Sequence, residues 1–157
     1  MAGHPQRHLR RHALIAVDTQ LLVYAHRADS PFHSAAAARM RSLCLGTVRF
    51  ALPMQALAEF YAVVTHPRIY RPPSTPAQAV AQVHAWTESP ACVVIFEGPS
   101  AMARLWETAE EAKITGPMVH DARIVATCLA EGVSTLWSAD RDLSRFPSLR
   151  TENPVVG

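Results

Sequence analysis

The sequence predicts a three-layer α/β sandwich in which helices cover both faces of a central, mainly parallel sheet of four to five strands. Three observations predict it. Short apolar runs at 13–17, 47–52, 92–96 and 134–138 have the length and residue types of buried strands. Stretches of helical length and spacing separate them, and such crossovers join parallel neighbours. Finally, 157 residues, 49% of them hydrophobic, suit one compact core that buries roughly 70% of the unfolded surface.

The elements follow in order. Ala13–Val17 reads as a first strand that ends at Asp18 and feeds a helix through Leu21–His26. Ser30-Pro31 offers a cap and a first-turn proline for a second helix, Phe32–Leu45, which Gly46 stops. Thr47–Leu52 has strand character, and Pro53 can open the next helix. Met54, Leu57, Tyr61 and Val64 recur there at helical spacing, which puts Glu59 on a helix. The segment 66–74 is proline-rich and basic, a loop by composition and a candidate surface for substrate or partner. Ser74-Thr75-Pro76 starts a helix running to about Glu88. Cys92–Phe96 reads as a strand, Ser100–Lys113 as a helix, and Pro117–Glu131 as another that ends at Gly132. Ser134–Ser138 is a further strand, and a short last one falls near Leu149–Glu152.

Residues 1–12 are basic and free of acids, and read as an N-terminal tail ahead of a single domain over 13–157. The spacing of His4, His8 and His12 invites a zinc site on a helix, but Pro5 argues against a helix there. No apolar stretch approaches the roughly 20 residues of a membrane span, so a soluble, cytoplasmic protein without membrane partners is expected. Cys44, Cys92 and Cys128 are odd in number and widely spaced, which points away from a disulfide framework or a zinc ribbon. The net charge of +2 selects no function. Its make-up permits a phosphate-bearing partner, because Lys113 is the sole lysine and every other cation of this class is an arginine with a planar fork.

Four acids carry the chemistry. Asp18 follows the apolar run 13–17 and is the only charged residue between His12 and His26. Glu59 is the only one between Arg49 and His66, inside an apolar helix. Asp121 precedes Ala122-Arg123-Ile124-Val125-Ala126, and Asp140 follows Leu136-Trp137-Ser138-Ala139. Acids rarely stand against a core without a partner. In an open parallel sheet, ligands collect outside the carboxyl ends of the strands, where Asp18 and Asp140 would project and the helices of Glu59 and Asp121 would return. Clustered carboxylates repel unless a cation neutralises them. Hard oxygen donors suit Mg²⁺ or Mn²⁺, one ion or two, and the chemistry such a centre performs is phosphodiester hydrolysis.

Each acid also has a plain structural reading. Asp18 is a favourable N-cap, Glu59 would suit a solvated helix face although its apolar neighbours leave little polar face nearby, Asp121 suits a helix N-terminus, and Asp140 and Asp142 suit a polar turn. His120 beside Asp121 is a candidate phosphate contact, set against an ordinary helix-start histidine. Trp137 is expected in the core, while Trp86 and Trp106, on helices, are candidates for an interface. Arg68, Arg71, Arg123, Arg141 and Arg145 flank the proposed groove or its loops and are candidates to hold an RNA backbone.

The motifs 18–25, 58–60, 119–124 and 136–146, in that order, resemble the PIN domain, and most of all the VapC toxins of bacterial toxin–antitoxin pairs. The resemblance spans about Ala13 to Pro154. It implies a PIN-like sandwich and a Mg²⁺- or Mn²⁺-dependent endoribonuclease toxin that hydrolyses RNA. It also implies a homodimer held silent by a VapB-type antitoxin. Asp18, Glu59, Asp121 and Asp140 match the family's acidic positions as catalytic residues and metal ligands. Asp142 is a candidate to assist or replace Asp140, and Ser138 matches a hydroxyl that supports the site. Gln20 departs from the pattern, since asparagine is common there, and is left outside the set. Two alternatives share these motifs: a catalytically silent PIN-like module that binds protein, and a housekeeping PIN nuclease. A haloacid dehalogenase-like phosphatase would need an acid where Gln20 stands and a lysine in the site, and a receiver domain would need paired acids near the first strand.

Overall fold

The computed structural model describes residues 13–156. The tail 1–12 and its histidine triplet lie outside them. Five strands form one parallel sheet in the order β3-β2-β1-β4-β5. They are β1 (Ile15–Val17), β2 (Phe50–Pro53), β3 (Cys92–Ile95), β4 (Thr135–Trp137) and β5 (Arg150–Glu152). The helices are α1 (Thr19–His26), α2 (His33–Leu45), α3 (Met54–Val64), α4 (Pro76–Thr87), α5 (Pro99–Glu111) and α6 (Val119–Ala130). Short 3₁₀ turns occupy Gly116–Met118 and Arg141–Arg145.

The predicted strands exist but are trimmed, because a ladder extends only as far as its neighbours. Ile15 pairs with Phe50 on one side and Thr135 on the other, so Ala13 and Thr47–Arg49 fall outside it. Ser30-Pro31 forms a turn and does not open α2: the Ser30 hydroxyl accepts the Phe32 N–H at 3.2 Å, and the helix starts two residues after the proline. Pro53 is likewise the extended N-cap of α3 rather than its first residue. Thr75 and Gln78 complete a reciprocal capping box at α4. Gly132, at φ +75°, gives the chain the left-handed residue that ends α6, and the Val133 N–H reaches back to the Cys128 carbonyl at 2.9 Å.

Alternation along the strands divides the core. Val17, Phe50 and Leu52 face α1–α4, whereas Ala16, Ala51 and Leu136 face α5 and α6. Crossovers on opposite faces carry the chain outward from β1 to β3 and then back to β4 on the other side of β1. The sheet therefore has a topological switch point between β1 and β4.

Trp86 does not line an interface: it is 5% exposed, with its ring 5.0 Å from that of Phe60. Trp106 is 60% exposed on α5, and Trp137 packs partly buried against the core. All three cysteines are free. Among the described residues, no helix is long and apolar enough to cross a membrane.

Candidate acidic active site

The switch point determines where the acids meet. β1 and β4 run side by side with Val17 opposite Trp137, and the Asp18 N–H extends the ladder by donating to the Trp137 carbonyl at 2.9 Å. The residues just beyond both strands consequently emerge together at the carboxyl edge of the sheet. A pocket of about 310 Å³ opens there. Asp18, Glu59, Asp121 and Asp140 all line it, with Thr19, Gln20, Val23, Tyr24, Val63 and Tyr70. None of these ten lining residues is basic. Asp142 is exposed on the following turn and is not part of the wall.

Hydroxyl groups hold two of the four carboxylates, and a backbone amide holds a third. Asp18 occupies the N-cap position of α1, yet its carboxylate caps neither of the usual amides. Instead Asp18 Oδ2 accepts the buried Ser138 hydroxyl at 2.8 Å, and the same oxygen of Ser138 accepts the Asp140 N–H at 3.0 Å. One hydroxyl thus links the ends of β1 and β4. Asp140 Oδ1 caps the next turn through the Asp142 N–H at 2.9 Å. Glu59 Oε2, reaching in from α3, accepts the Thr19 hydroxyl at 3.0 Å. Asp121 enters from the first turn of α6.

The acids differ in their surroundings. Asp18 is 7% exposed, and burial pushes its carboxyl up to about 6, against the opposing pull of the Ser138 hydroxyl and the Thr19 amide. Asp121 is also raised, first by desolvation and then by the negative charge of Asp140, Glu59 and Asp142. Glu59 corrects the expectation of an acid pressed into the core. It lies on an exposed flank of α3, where Ala58 and Tyr61 are exposed too. The buried stripe of α3 is Ala56, Leu57, Phe60 and Val64, so Met54 and Tyr61 of the predicted stripe face outward.

A second pocket adjoins the first through Glu59. His120 and Arg123 line it, and Arg123 is committed to Glu97, Nη2 to Oε2 at 2.8 Å. Arg145 donates to the Met118 sulfur at 3.2 Å. Neither arginine lines the acidic pocket. Thr19, Tyr24 and Tyr70 escaped the sequence reading. A hydroxyl directly after the first acid was a usable signal for Thr19, whereas nothing local marks the two tyrosines as neighbours of the acids.

The PIN domain model matches residues 15–149, and the chain belongs to that family. Its relatives within it are VapC ribonucleases. Ribonuclease VapC43 of Mycobacterium tuberculosis is 33% identical over 144 residues, 92% of this chain and 97% of that one. Ribonuclease VapC48 of the same species is 30% identical over 140 residues, 89% and 97% of the two chains. Among solved structures, VapBC2 from Rickettsia felis bound to a DNA fragment from its promoter aligns with a TM-score of 0.65 at 19% identity, covering 89% of this chain and 98% of that one. The sarcin–ricin loop-cleaving toxin VapC20 of M. tuberculosis aligns at 0.62 and 19%, covering 83% and 92%. At these identities the structural likeness is one of fold.

Proposed function

We propose that the chain is a Mg²⁺- or Mn²⁺-dependent endoribonuclease toxin whose centre is Asp18, Glu59, Asp121 and Asp140. The observation that carries this reading is a pocket with four carboxylates, no basic side chain, and one acid whose burial disfavours its charged form, a cost that a bound cation would offset. The donors are all hard oxygens, which fit Mg²⁺ or Mn²⁺. Among the described residues, no three His, Cys, Asp or Glu side chains are grouped closely enough to cage an ion by themselves. A cage is not required, since Mg²⁺ keeps several waters and is held through one or two carboxylates plus substrate phosphate. When bound, such an ion supplies an activated water and steadies the charge on the leaving oxygen.

The chain's own part is geometry and charge. Ser138 fixes Asp18 and Asp140 against each other, Thr19 fixes Glu59, and the sheet edge leaves the pocket open to an RNA backbone. The nuclease is held silent by a VapB-type antitoxin and works as a homodimer in the cytoplasm. Relatives named VapC ribonucleases and solved VapBC assemblies support the nuclease and its antitoxin partner. The single-domain reading of 13–157 fits one sheet with a core on each face.

The test is cleavage of RNA by the purified chain: Mg²⁺ or Mn²⁺ is required, a chelator stops it, and re-addition restores it. Cleavage at the same rate in excess chelator overturns the metal centre. A folded chain that cuts no RNA with either ion, free of antitoxin, leaves the silent binding module in its place.

Ser138→Ala should lower cleavage by about 10- to 100-fold, the usual cost of removing a group that orients metal ligands. It strips Asp18 of its hydroxyl donor and leaves the Asp140 N–H without its acceptor. Ser138→Thr, which keeps the hydroxyl, should recover most of the rate. Equal rates for Ala and the parent would remove Ser138 from the supporting set.

A further inference from the structure

The loop 66–74 brings an aromatic ring to the acidic pocket and is tied down more firmly than a connection needs. Tyr70 lines the pocket beside the acids. The guanidinium of Arg27, just past α1, lies 4.2 Å from the centroid of that ring and covers one of its faces. Arg27 is itself locked by a fork on Asp29, Nε to Oδ1 at 2.9 Å and Nη2 to Oδ2 at 2.7 Å. Nη2 also donates to the Pro72 carbonyl at 3.1 Å, and Nη1 to the Ser74 hydroxyl at 3.3 Å. The arginine side chain is only 13% exposed. At the loop's end, the Ser74 N–H donates to the Val64 carbonyl at 2.8 Å, fastening it to α3. One arginine therefore fixes the loop's far half and the plane of Tyr70.

An acidic pocket repels the phosphates of its own substrate, so binding has to draw on contacts that are not acidic. A rigid aromatic ring that lines the pocket while partly packed against the core is one, because every base has a π-face and stacking tolerates any sequence. Exposed cations on the same loop are another, and Arg68 and Arg71 flank Tyr70 there.

We propose that Tyr70, positioned by Arg27, stacks a nucleobase of single-stranded RNA next to the scissile phosphate, with Arg68 and Arg71 on the flanking phosphates. This rests on the nuclease reading above and names how its substrate is held. Arg27 is a positioning residue, acting through the ring it covers. The base must be unpaired to present its face, which directs the site to loops and single strands.

The test uses a short single-stranded RNA in which 2-aminopurine replaces one base at a time, bound to the full chain carrying Asp121→Asn to prevent cleavage. At one position the fluorescence should be quenched with Tyr70 and with Tyr70→Phe. It should stay bright with Tyr70→Leu, which keeps apolar bulk and has no ring. Affinity should fall about 5- to 150-fold in Tyr70→Leu, the range that loss of one base stack gives. Arg27→Ala should weaken binding as well, and the loss in the double variant should fall well short of the sum of the two single losses, as expected where one residue acts largely through the other. Unchanged affinity and quenching in Tyr70→Leu, while the parent chain still cleaves RNA, would overturn the stacking site and leave the nuclease standing. Loss of cleavage in Tyr70→Leu with binding and quenching intact would also overturn it. A parent chain that neither binds nor cleaves RNA removes the nuclease reading and this one with it.

Discussion

Asp18→Asn should cut RNA cleavage by roughly 10³-fold and, in the metal-free protein at neutral pH, make the fold more stable. The first effect follows from the charge stabilisation a hard ion brings to phosphoryl chemistry, several kcal/mol, at about 1.4 kcal/mol per factor of ten. The second follows from burial. Asp18 is pushed up to about 6 from 3.8 in the folded chain, so the native state holds that proton more tightly than the unfolded one. Its contribution is therefore favourable at low pH, declines as pH rises from about 4 to about 6, and stays at its full cost above that window. The two values set an upper bound of about 3 kcal/mol for that cost. Asparagine keeps an oxygen for the Ser138 hydroxyl without the charge. Thermal melts with chelator should thus converge for the two proteins near pH 4 and separate above pH 6. Asn should be the more stable there by at least 2–4 °C, the shift that about 1 kcal/mol gives at this size. Mg²⁺ or Mn²⁺ should raise the melting point of the parent and leave that of Asp18→Asn nearly unmoved. A variant that melts lower than the parent at pH 7.5 in chelator would show that the buried charge carries no penalty.

That behaviour separates a functional acid from a structural one, and it explains which parts of the site the sequence revealed. Asp18 and Asp140 were legible because an acid at the end of a buried strand in a parallel sheet has one place to go. The pairing of β1 with β4 then brings the two together. Glu59 was found for a reason that only half applies. Its apolar neighbours suggested a core, yet Ala58 and Tyr61 are exposed, so an apolar context marked a surface flank. In a helix as uniformly apolar as α3, residues 54, 57, 61 and 64 and residues 57, 60 and 64 both satisfy helical spacing, and periodicity alone does not choose a face. Tertiary packing chose Phe60. The Thr19–Glu59 and Ser138–Asp18 hydrogen bonds join residues 40 and 120 apart, and no local pattern encodes a contact of that range. Trp86 was misassigned for a related reason: its helix gives no sign in sequence of which face the sheet will cover.

Phe60→Ala should destabilise the protein by about 3–5 kcal/mol, the usual cost of emptying a fully buried phenylalanine site. Phe60 is 0% exposed and sits edge-on to two rings, His26 at 5.3 Å and Trp86 at 5.0 Å. It is thus the shared contact of α1, α3 and α4 on one face of the sheet. His26 is in turn held by Gln82 at 3.2 Å and Ser74 at 2.9 Å, so its ring cannot follow a shrinking neighbour without losing those partners. Poor collapse of the site places the loss toward the upper end of that range. Against a total stability on the order of 5–15 kcal/mol, it should lower the melting temperature by about 10 °C or more. Phe60→Leu, closer in volume, should lose much less. The urea midpoint should fall with the slope unchanged, as for a change in stability alone. The consequence for function is specific, because Glu59 is the adjacent residue and its wall of the pocket is carried by the helix that Phe60 anchors. At temperatures where Phe60→Ala remains folded, cleavage should fall, yet by less than in Asp18→Asn, since every carboxylate is still present. A loss of stability under about 1 kcal/mol would mean that α3 is held chiefly by contacts other than Phe60, and the packing account of how Glu59 reaches the pocket would have to be replaced.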